Sequence, residues 1–184
     1  MTILAISGSL RDESYNTALA RAARELAPDG VEIELYEGLA SLPHYSQDLD
    51  ERGELPLPVR ELRDRIEMAD GLLIVTPEYN GSVPGVLKNA IDWVSARHRG
   101  SSLHGKSVAI AGATTGQYGA IWAQQDLRRI LGIAGARVTE GELPVSRAQD
   151  AFDETGRLHD PLVAERLRSH VAALAADCSF LIAA

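Results

Sequence analysis

Three polar, turn-rich segments contain the residues whose types and spacing point most clearly to chemistry. The first loop, residues 8–17, follows a short apolar run and leads into a segment of helical period. A helix start offers unpaired N–H groups and the positive end of the helix dipole, which suits a phosphate group. Arg11 adds charge-assisted hydrogen bonding. The neutral donors are Ser9, Ser14, Asn16 and Thr17. The loop predicts a phosphate-monoester site; an ordinary helix cap beside a solvated arginine is the alternative.

The second loop, residues 76–85, has the groups needed to hold a planar heterocycle. Its two prolines, two glycines and asparagine predict a rigid turn with exposed backbone amides and carbonyls. Tyr79 offers a flat ring face, and Asn80 offers a donor and an acceptor to the polar edge of a ring. A simple β-to-α turn would explain the later proline and glycine but not the run Glu78-Tyr79-Asn80.

The third loop, residues 113–119, follows another apolar run and is expected to border the same crevice. Thr114, Thr115 and Gly116 would line one side of a bound ring. Taken without the other two loops, this segment says little about function.

Other candidate sites fail on chemical grounds. Residues 100–107 fit the G-x-x-x-x-G-K-S pattern of a nucleotide P-loop, but a helix precedes them and a strand follows, which is the reverse of the functional order. Cys178 lies among apolar residues of the last helix, as a buried inert thiol would. The five histidines have no metal-ligand spacing. We therefore predict neither a metal site nor a catalytic acid, base or nucleophile.

The elements that must position these loops follow from hydrophobic periodicity. Five short apolar runs alternate with segments in which apolar residues recur at helical spacing. The runs are residues 3–6, 31–36, 72–75, 108–113 and 136–139. This alternation predicts a mostly parallel sheet with helices on both faces, and we expect residues 1–184 to form a single domain.

Burial patterns predict the strand order. Strands one, three and four are continuous apolar runs, as expected of strands buried on both faces, whereas strands two and five mix apolar and charged residues. The order 2-1-3-4-5 places the mixed strands at the edges. It predicts a flavodoxin-like three-layer α/β/α fold with a five-stranded sheet. The carboxyl ends of strands one and three then form the topological switch point, where ligands bind in such sheets.

Composition excludes several functional classes. The 184 residues include 18 lysines and arginines against 26 aspartates and glutamates, a net charge of −8. This charge disfavours non-specific binding to nucleic acid or to an anionic membrane. The single cysteine excludes an internal disulfide framework. No apolar run reaches the roughly 18 residues of a membrane span, and no basic leader is apparent, so we expect a cytoplasmic protein.

Together the loops carry a family resemblance. Gly8-Ser9-Leu10-Arg11, followed by Ser14 and Asn16, resembles the first loop of the NADPH-dependent FMN reductase family. The run Pro77-Glu78-Tyr79-Asn80-Gly81-Ser82, continued by Pro84-Gly85 and residues 87–93, is similar to its second signature. Residues 42–49 and 103–106 also resemble family segments. The resemblance extends from residue 3 to about residue 135.

The resemblance implies a flavodoxin-like protein that binds FMN and oxidises NADH or NADPH. Carried onto this chain, the first-loop residues would hold the FMN phosphate and ribityl chain: Ser9, Arg11, Ser14, Asn16 and Thr17. The ring would be bordered by Pro77, Glu78, Tyr79, Asn80, Gly81 and Ser82, and by Thr114, Thr115 and Gly116 of the third loop. Ala120 is a departure, because relatives often have a second glycine after the position of Gly119.

We expect a ping-pong oxidoreductase in which the flavin carries the chemistry and no side chain is catalytic. The acceptor would be a quinone, an azo compound, a metal oxyanion or free flavin. A flavodoxin-type electron carrier is the main alternative, and a protein that keeps FMN only for structure is a third. The resemblance also implies a homodimer or homotetramer, in which residues 39–57 could complete a neighbour's site.

Overall fold

A parallel sheet forms the centre of the structure, a computed structural model that describes residues 1–51, 54–96 and 100–182. Its strands are β1 (Thr2–Ser7), β2 (Glu32–Tyr36), β3 (Gly71–Val75), β4 (Ser107–Ala113), β5 (Arg137–Val138) and β6 (Leu143–Val145). The order is β2-β1-β3-β4-β5, and β6 also pairs with β4. The predicted order 2-1-3-4-5 and the flavodoxin-like architecture are confirmed.

Helices cover both faces of the sheet. They are α1 (Tyr15–Glu25), α2 (Gln47–Glu51), α3 (Leu57–Met68), α4 (Gly85–Val94), α5 (Ile121–Ile133), α6 (Ala148–Ala151) and α7 (Pro161–Ile182), with a 3₁₀ turn at Leu39–Ser41. Side chains alternate along each strand, so Ile3 and Ala5 pack with α1 and α7. Leu4 and Ile6 pack on the opposite face with α3, α4 and α5. The result is a three-layer sandwich with one core on each side of the sheet.

Burial follows the predicted edges. Every residue of β3 and β4 is buried, whereas β2 is only partly buried and β5 reaches solvent. The continuous apolar runs therefore lie in the middle of the sheet and the mixed runs at its margins, as expected for a parallel sheet covered on both faces.

The edge beside β4 differs from the prediction of one fifth strand at residues 136–139. β5 contains only Arg137–Val138, and the N–H of Thr139 still donates to Val108 of β4. Residues 140–142 then leave the sheet, and β6 continues alongside β4. The sheet therefore has six strands rather than five. Pro144 lacks an N–H donor and is tolerated because β6 is an edge strand. At the break, Nε2 of His170 in α7 donates to the carbonyl oxygen of Ile110, at 2.9 Å.

The last helix, α7, is integrated with the sheet. Leu167, Val171 and Leu174 are fully buried in the same core as β1. Cys178 is also buried, and burial raises the pKa of its thiol, in agreement with the expectation of an inert residue. None of the helices in the described part of the chain has the length and apolarity needed to cross a bilayer.

Candidate functional site

The three polar loops meet at the carboxyl edge of the sheet because the strands that precede them are neighbours. The N–H of Gly8 donates to Val75 at 2.8 Å, and the N–H of Thr76 donates to Ala111 at 2.8 Å, so each loop leaves the sheet beside the next. After β1 the chain crosses to one face as α1, and after β3 it crosses to the other face as α4. This edge is the topological switch point at which open α/β sheets bind ligands.

The first loop presents hydrogen-bond donors at the start of α1. Ser14 is the N-cap, and its hydroxyl oxygen accepts from the N–H groups of Asn16 and Thr17, at 3.2 and 3.3 Å. Arg11 is exposed and forms no ion pair with the described carboxylates. Backbone N–H groups that donate to no acceptor in the described residues include those of Leu10, Asp12, Glu13 and Tyr15. The loop therefore has the donors and the dipole needed for an anion.

Two predicted ligands of the first loop have side chains engaged inside the fold. Asn16 is buried, and its amide both donates to and accepts from the backbone of Ala113, at 3.0 and 2.9 Å. The hydroxyl of Thr17 is hydrogen-bonded to that of Ser7, at 2.9 Å. Asn16 thus ties the start of α1 to the third loop, across 97 residues of sequence.

The second loop is a tight hairpin. Tyr79 and Ser82 exchange two backbone hydrogen bonds, at 3.0 and 3.1 Å. Between them Asn80 and Gly81 have φ angles of 53° and 74°. Positive φ at both central residues defines a type I′ turn, for which Asn-Gly is the preferred sequence. The turn places Tyr79, Asn80 and Gly81 in solvent, while Pro77 is buried beneath them.

Two side chains of the second loop dock it onto α5. The carboxylate of Glu78 accepts the N–H of Ala123 at 3.1 Å, in the first turn of the helix, where a negative charge is favoured. The hydroxyl of Ser82 donates to Asp126 at 2.7 Å. The family resemblance predicts Glu78 and Ser82 beside a ring, and the sequence gives no signal for Asp126 as a partner. The pairing of Glu78 with Ala123 and of Ser82 with Asp126 becomes visible only once the loop is folded against the helix.

The third loop is attached to the end of β6 and to the residues that follow it. Thr114 donates through its N–H to Val145 at 3.0 Å, and its carbonyl accepts from Ala148 at 2.9 Å. The carbonyl of Gly116 accepts from the N–H of Arg147 at 2.9 Å. Thr115 and Gly116 remain exposed at the edge of the crevice.

The third loop ends in an unusual backbone bend. Gly119 and Ala120 have φ angles of 58° and 60°, both left-handed. A Cβ on Gly119 would lie 2.7 Å from the backbone nitrogen of Val145, so glycine is required there. Ala120 adopts a left-handed conformation that alanine disfavours and that glycine would adopt without strain.

Three aromatic side chains are exposed around the loops. Tyr79 is 48% exposed, Tyr118 53% and Trp122 47%. The rings of Tyr118 and Trp122 pack against each other with centroids 4.8 Å apart. Trp122 lies in the first turn of α5, next to the residue whose N–H donates to Glu78. The edge of the sheet therefore combines polar loops with exposed ring faces.

Other residues of the second signature support a neighbouring segment. Asn89 and Trp93 in α4 donate from their side chains to the carbonyl of Pro43, at 3.0 and 2.7 Å. Tyr45 donates its N–H back to Asn89 at 2.8 Å, and its ring packs edge-on against Trp93. These signature residues therefore support the segment after β2 through hydrogen bonds and ring packing, and their side chains are not directed to the crevice.

The P-loop-like segment has no phosphate-binding geometry. Lys106 donates to the carbonyl oxygen of Ala69 at 2.5 Å, and β4 begins at the next residue. Burial lowers the pKa of this lysine. Within residues 1–51, 54–96 and 100–182, no group of three His, Cys, Asp or Glu side chains could hold a metal ion; His98 lies outside them.

The fold and its loops define a flavodoxin-like protein with three polar loops at the switch point, and comparisons with known proteins identify its family. The NADPH-dependent FMN reductase family model matches residues 1–150. An NAD(P)H-dependent FMN reductase of Pseudomonas aeruginosa is 43% identical over 173 residues, 94% of this chain and 92% of that protein. A quinone reductase of Escherichia coli is 41% identical over 138 residues, 75% of this chain and 73% of that protein.

A solved structure agrees with these sequence matches. FerB, a flavoenzyme NAD(P)H:(acceptor) oxidoreductase from Paracoccus denitrificans, superposes with a TM-score of 0.87 at 35% identity, covering 97% of both chains. The chain belongs to the NADPH-dependent FMN reductase family. It is an oxidoreductase of the NAD(P)H-dependent FMN or quinone reductase type, in a family that uses FMN and NAD(P)H.

Proposed function

We propose that this chain binds FMN at the carboxyl edge of its sheet and passes reducing equivalents from NADPH or NADH to a small acceptor of the quinone class. The observation that supports this proposal is the convergence of three polar loops at the switch point, the first of which offers unpaired donors. Azo compounds, metal oxyanions and free flavin are further acceptors against which a quinone is to be compared.

The donor set of the first loop fits a phosphate monoester. Free N–H groups at the start of α1, the dipole of that helix and the exposed guanidinium of Arg11 all favour a dianion. The hydroxyl groups of Ser9 and Ser14 accept hydrogen bonds from the backbone and keep their own protons to donate. We assign the phosphate to these groups.

Asn16 and Thr17 have a different role in this proposal. Their backbone N–H groups and side chains already have partners in the fold. They position the first loop relative to the sheet and the third loop instead of touching the phosphate with their side chains.

The second and third loops would border the ring. Pro77, Tyr79, Asn80 and Gly81 form a rigid hairpin edge, and Thr114, Thr115 and Gly116 form the opposite edge. Glu78 and Ser82 hold the hairpin on α5. The hairpin would therefore be ordered before the ring binds, and binding would not have to pay the entropy of ordering it.

When bound, FMN supplies a ring nitrogen, N5, that takes up a hydride and later gives up electrons, so no side chain has to act as acid or base. The residues of this chain bind and orient the ring. The exposed faces of Tyr118 and Trp122 are suited to a planar aromatic acceptor, because ring faces pack favourably in offset or tilted arrangements.

Steady-state kinetics with NADPH and a soluble benzoquinone test this proposal. Because the two substrates would use the same ring in turn, we expect parallel double-reciprocal lines. Intersecting lines would remove the ping-pong order. Azo dye, chromate and free FMN, assayed in the same way, rank the acceptor classes, and a lower kcat/KM for the quinone than for all three would contradict the acceptor assignment.

The alternative of a flavodoxin-type carrier makes a different prediction. A carrier would hold FMN but would oxidise NADPH only when a partner reductase is added. We expect direct oxidation by the purified chain, since the family to which it belongs consists of NADPH-dependent reductases. The net charge of −8 would suit a carrier that docks on basic partners, which is why the assay must contain no other protein.

We also propose a homodimer or homotetramer. Leu49 in α2 and Leu57 at the start of α3 are 39% and 56% exposed, and Trp122 is exposed on α5. The family resemblance implies an oligomer, and these exposed apolar side chains are candidates for its subunit interface. Light scattering is expected to give twice or four times the chain mass of 19.8 kDa, and a monomer would contradict this proposal.

A further inference from the structure

A buried amide on α5 joins the third loop to the edge of the sheet. Gln124 has no exposed surface. Its Nε2 donates to the carbonyl of Gly119 at 2.8 Å, and its Oε1 accepts the N–H of Leu143 at 3.1 Å. One side chain therefore holds both the last part of the third loop and the first residue of β6.

The third loop depends on the same segment at its other end. Thr114 and Gly116 are hydrogen-bonded to Val145, Arg147 and Ala148, which directly follow the start of β6. Gln124 lies in α5, the helix on which Glu78 and Ser82 dock the second loop. It therefore links that helix to the third loop and β6.

Two left-handed backbone positions, at Ala120 and Arg147, adjoin the third loop that this link holds. In the described part of the chain, the non-glycine residues with positive φ are Asn80, Ala120 and Arg147. Asn80 is in the second loop, Ala120 ends the third loop, and Arg147 holds Gly116. Left-handed alanine and arginine persist only where surrounding contacts compensate for them, and such strain clusters at functional sites.

The Gln124 amide packs against β4 close to both the second and the third loop. A Cβ on Gly112, at the end of β4, would lie 2.7 Å from the carbonyl oxygen of Thr76, 2.9 Å from Cβ of Ala120 and 3.0 Å from Nε2 of Gln124. Thr76 of the second loop, Ala120 directly after the third loop, and the amide therefore all lie close to Gly112. Because interiors are close-packed, we expect a displacement of the amide to disturb both loops.

We propose that Gln124 is a positioning residue for the cofactor: its bond to Gly119 sets the third loop at the distance from the second loop that the ring requires. This inference rests on the proposed function, since it takes the crevice to be the FMN site. Gln124 does not itself reach the crevice and is not a catalytic residue.

Three variants test the inference by FMN titration of the apoprotein, followed by flavin fluorescence and absorption. Gln124→Met keeps the side-chain length but removes both hydrogen bonds. Gln124→Glu keeps the acceptor for Leu143 and removes the donor to Gly119. Gln125→Met, on the exposed side of the same helix, is the matched control. Thermal melts of each apoprotein measure the purely structural effect.

We expect the Kd for FMN to rise at least about tenfold in Gln124→Met. Gln124→Glu should show the same rise at pH 8. In both cases the Gly119 carbonyl is left without its donor. The absorption maxima of the bound flavin should shift as well. Gln125→Met should bind like the wild type.

The pH dependence of Gln124→Glu supplies a second readout. Burial raises the pKa of a carboxyl group, and a protonated carboxyl can donate to Gly119 as the amide does. The Kd ratio of variant to wild type should therefore fall towards one between pH 8 and pH 5.5. The titratable groups near this edge, Arg128, Glu142 and His170, are the same in both proteins, so the ratio cancels their effect.

Two results would overturn the inference. One is a lower melting temperature for both Gln124 variants with an unchanged Kd and flavin spectrum, which would make Gln124 structural only. The other is a Kd ratio for Gln124→Glu that stays raised at pH 5.5, because the donor to Gly119 would then be irrelevant. Failure of the proposed function looks different: the wild-type apoprotein itself would not bind FMN.

Discussion

At the scale of single residues, some polar side chains of the first loop are free to contact a ligand, whereas others hold the loop in place. Arg11 is exposed and has no carboxylate partner in the described residues, whereas the amide of Asn16 is hydrogen-bonded to the backbone of Ala113. Both are polar residues at the start of a helix, and their types alone do not separate these roles. Burial separates them.

Replacing Arg11 tests the phosphate assignment. Arg11→Gln removes a charge-assisted hydrogen bond, which contributes roughly 1.5–3 kcal/mol, so the Kd for FMN should rise at least about tenfold. Thermal stability should not change, since the side chain is exposed. Arg24→Gln, on the far end of the same helix, is the control and should bind FMN normally. Equal Kd values for the two variants would place the phosphate elsewhere.

At the scale of elements, loop geometry depends on a few glycine positions beside β6. Gly119→Ala would put a methyl group 2.7 Å from backbone atoms and force alanine to a φ of 58°. We expect the free energy of unfolding to fall by about 2–4 kcal/mol, measured by urea denaturation.

Gly132→Ala, inside α5, is the matched control for this change. Its added Cβ meets nothing within 4 Å, and alanine is a better helix former than glycine. The unfolding free energy should rise by about 0.5–1 kcal/mol. If both substitutions destabilise equally, the left-handed bend is not what requires glycine at residue 119.

His170, which lies at the break between β5 and β6, is expected to make the stability of the fold depend on pH. Burial lowers the pKa of His170, the presence of Arg128 nearby also lowers it, and the hydrogen bond to Ile110 raises it, with burial dominant. The folded protein therefore holds this proton less tightly than the unfolded chain. Its contribution to stability is complete above the unfolded pKa of about 6.5 and declines as the pH falls towards the folded value.

Urea denaturation between pH 7.5 and pH 5.5 measures that effect. In His170→Gln the new side-chain amide would still donate to Ile110 but would not titrate, so the variant should lose less stability than the wild type over this range. His159→Gln, at an exposed position, should keep the wild-type slope. Equal slopes for wild type and His170→Gln would show that the ring at residue 170 does not titrate in this window.

The sequence predicts the central strands of the sheet better than its edge and the contacts of the loops. The apolar runs of β1, β3 and β4 predict both their burial and the strand order, because burial on two faces leaves a continuous pattern. β6 is missed because it has three residues, one of them proline. The docking of Glu78 and the link made by Gln124 are missed because their partners are backbone N–H and C=O groups, which leave no pattern in side-chain types.

At the scale of the whole molecule, α7 lies beyond the residues matched by the family model yet completes the core. Leu167 and Val171 pack in the same cluster as Ile3, at the opposite end of the sequence. We propose on this basis that residues 1–184 form a single domain. Near- and far-ultraviolet circular dichroism should then report one coincident unfolding transition, and a separate transition for the C-terminal helix would contradict it.

We propose that this edge of the sheet holds a flavin that NAD(P)H reduces directly. The most direct test is to reconstitute the purified chain with FMN, remove oxygen, add NADPH or NADH, and follow the visible spectrum. We expect the absorption of the oxidised flavin to be lost without any added protein. A bound flavin whose spectrum neither nucleotide changes would contradict direct reduction by NAD(P)H and favour an electron carrier or a binding protein.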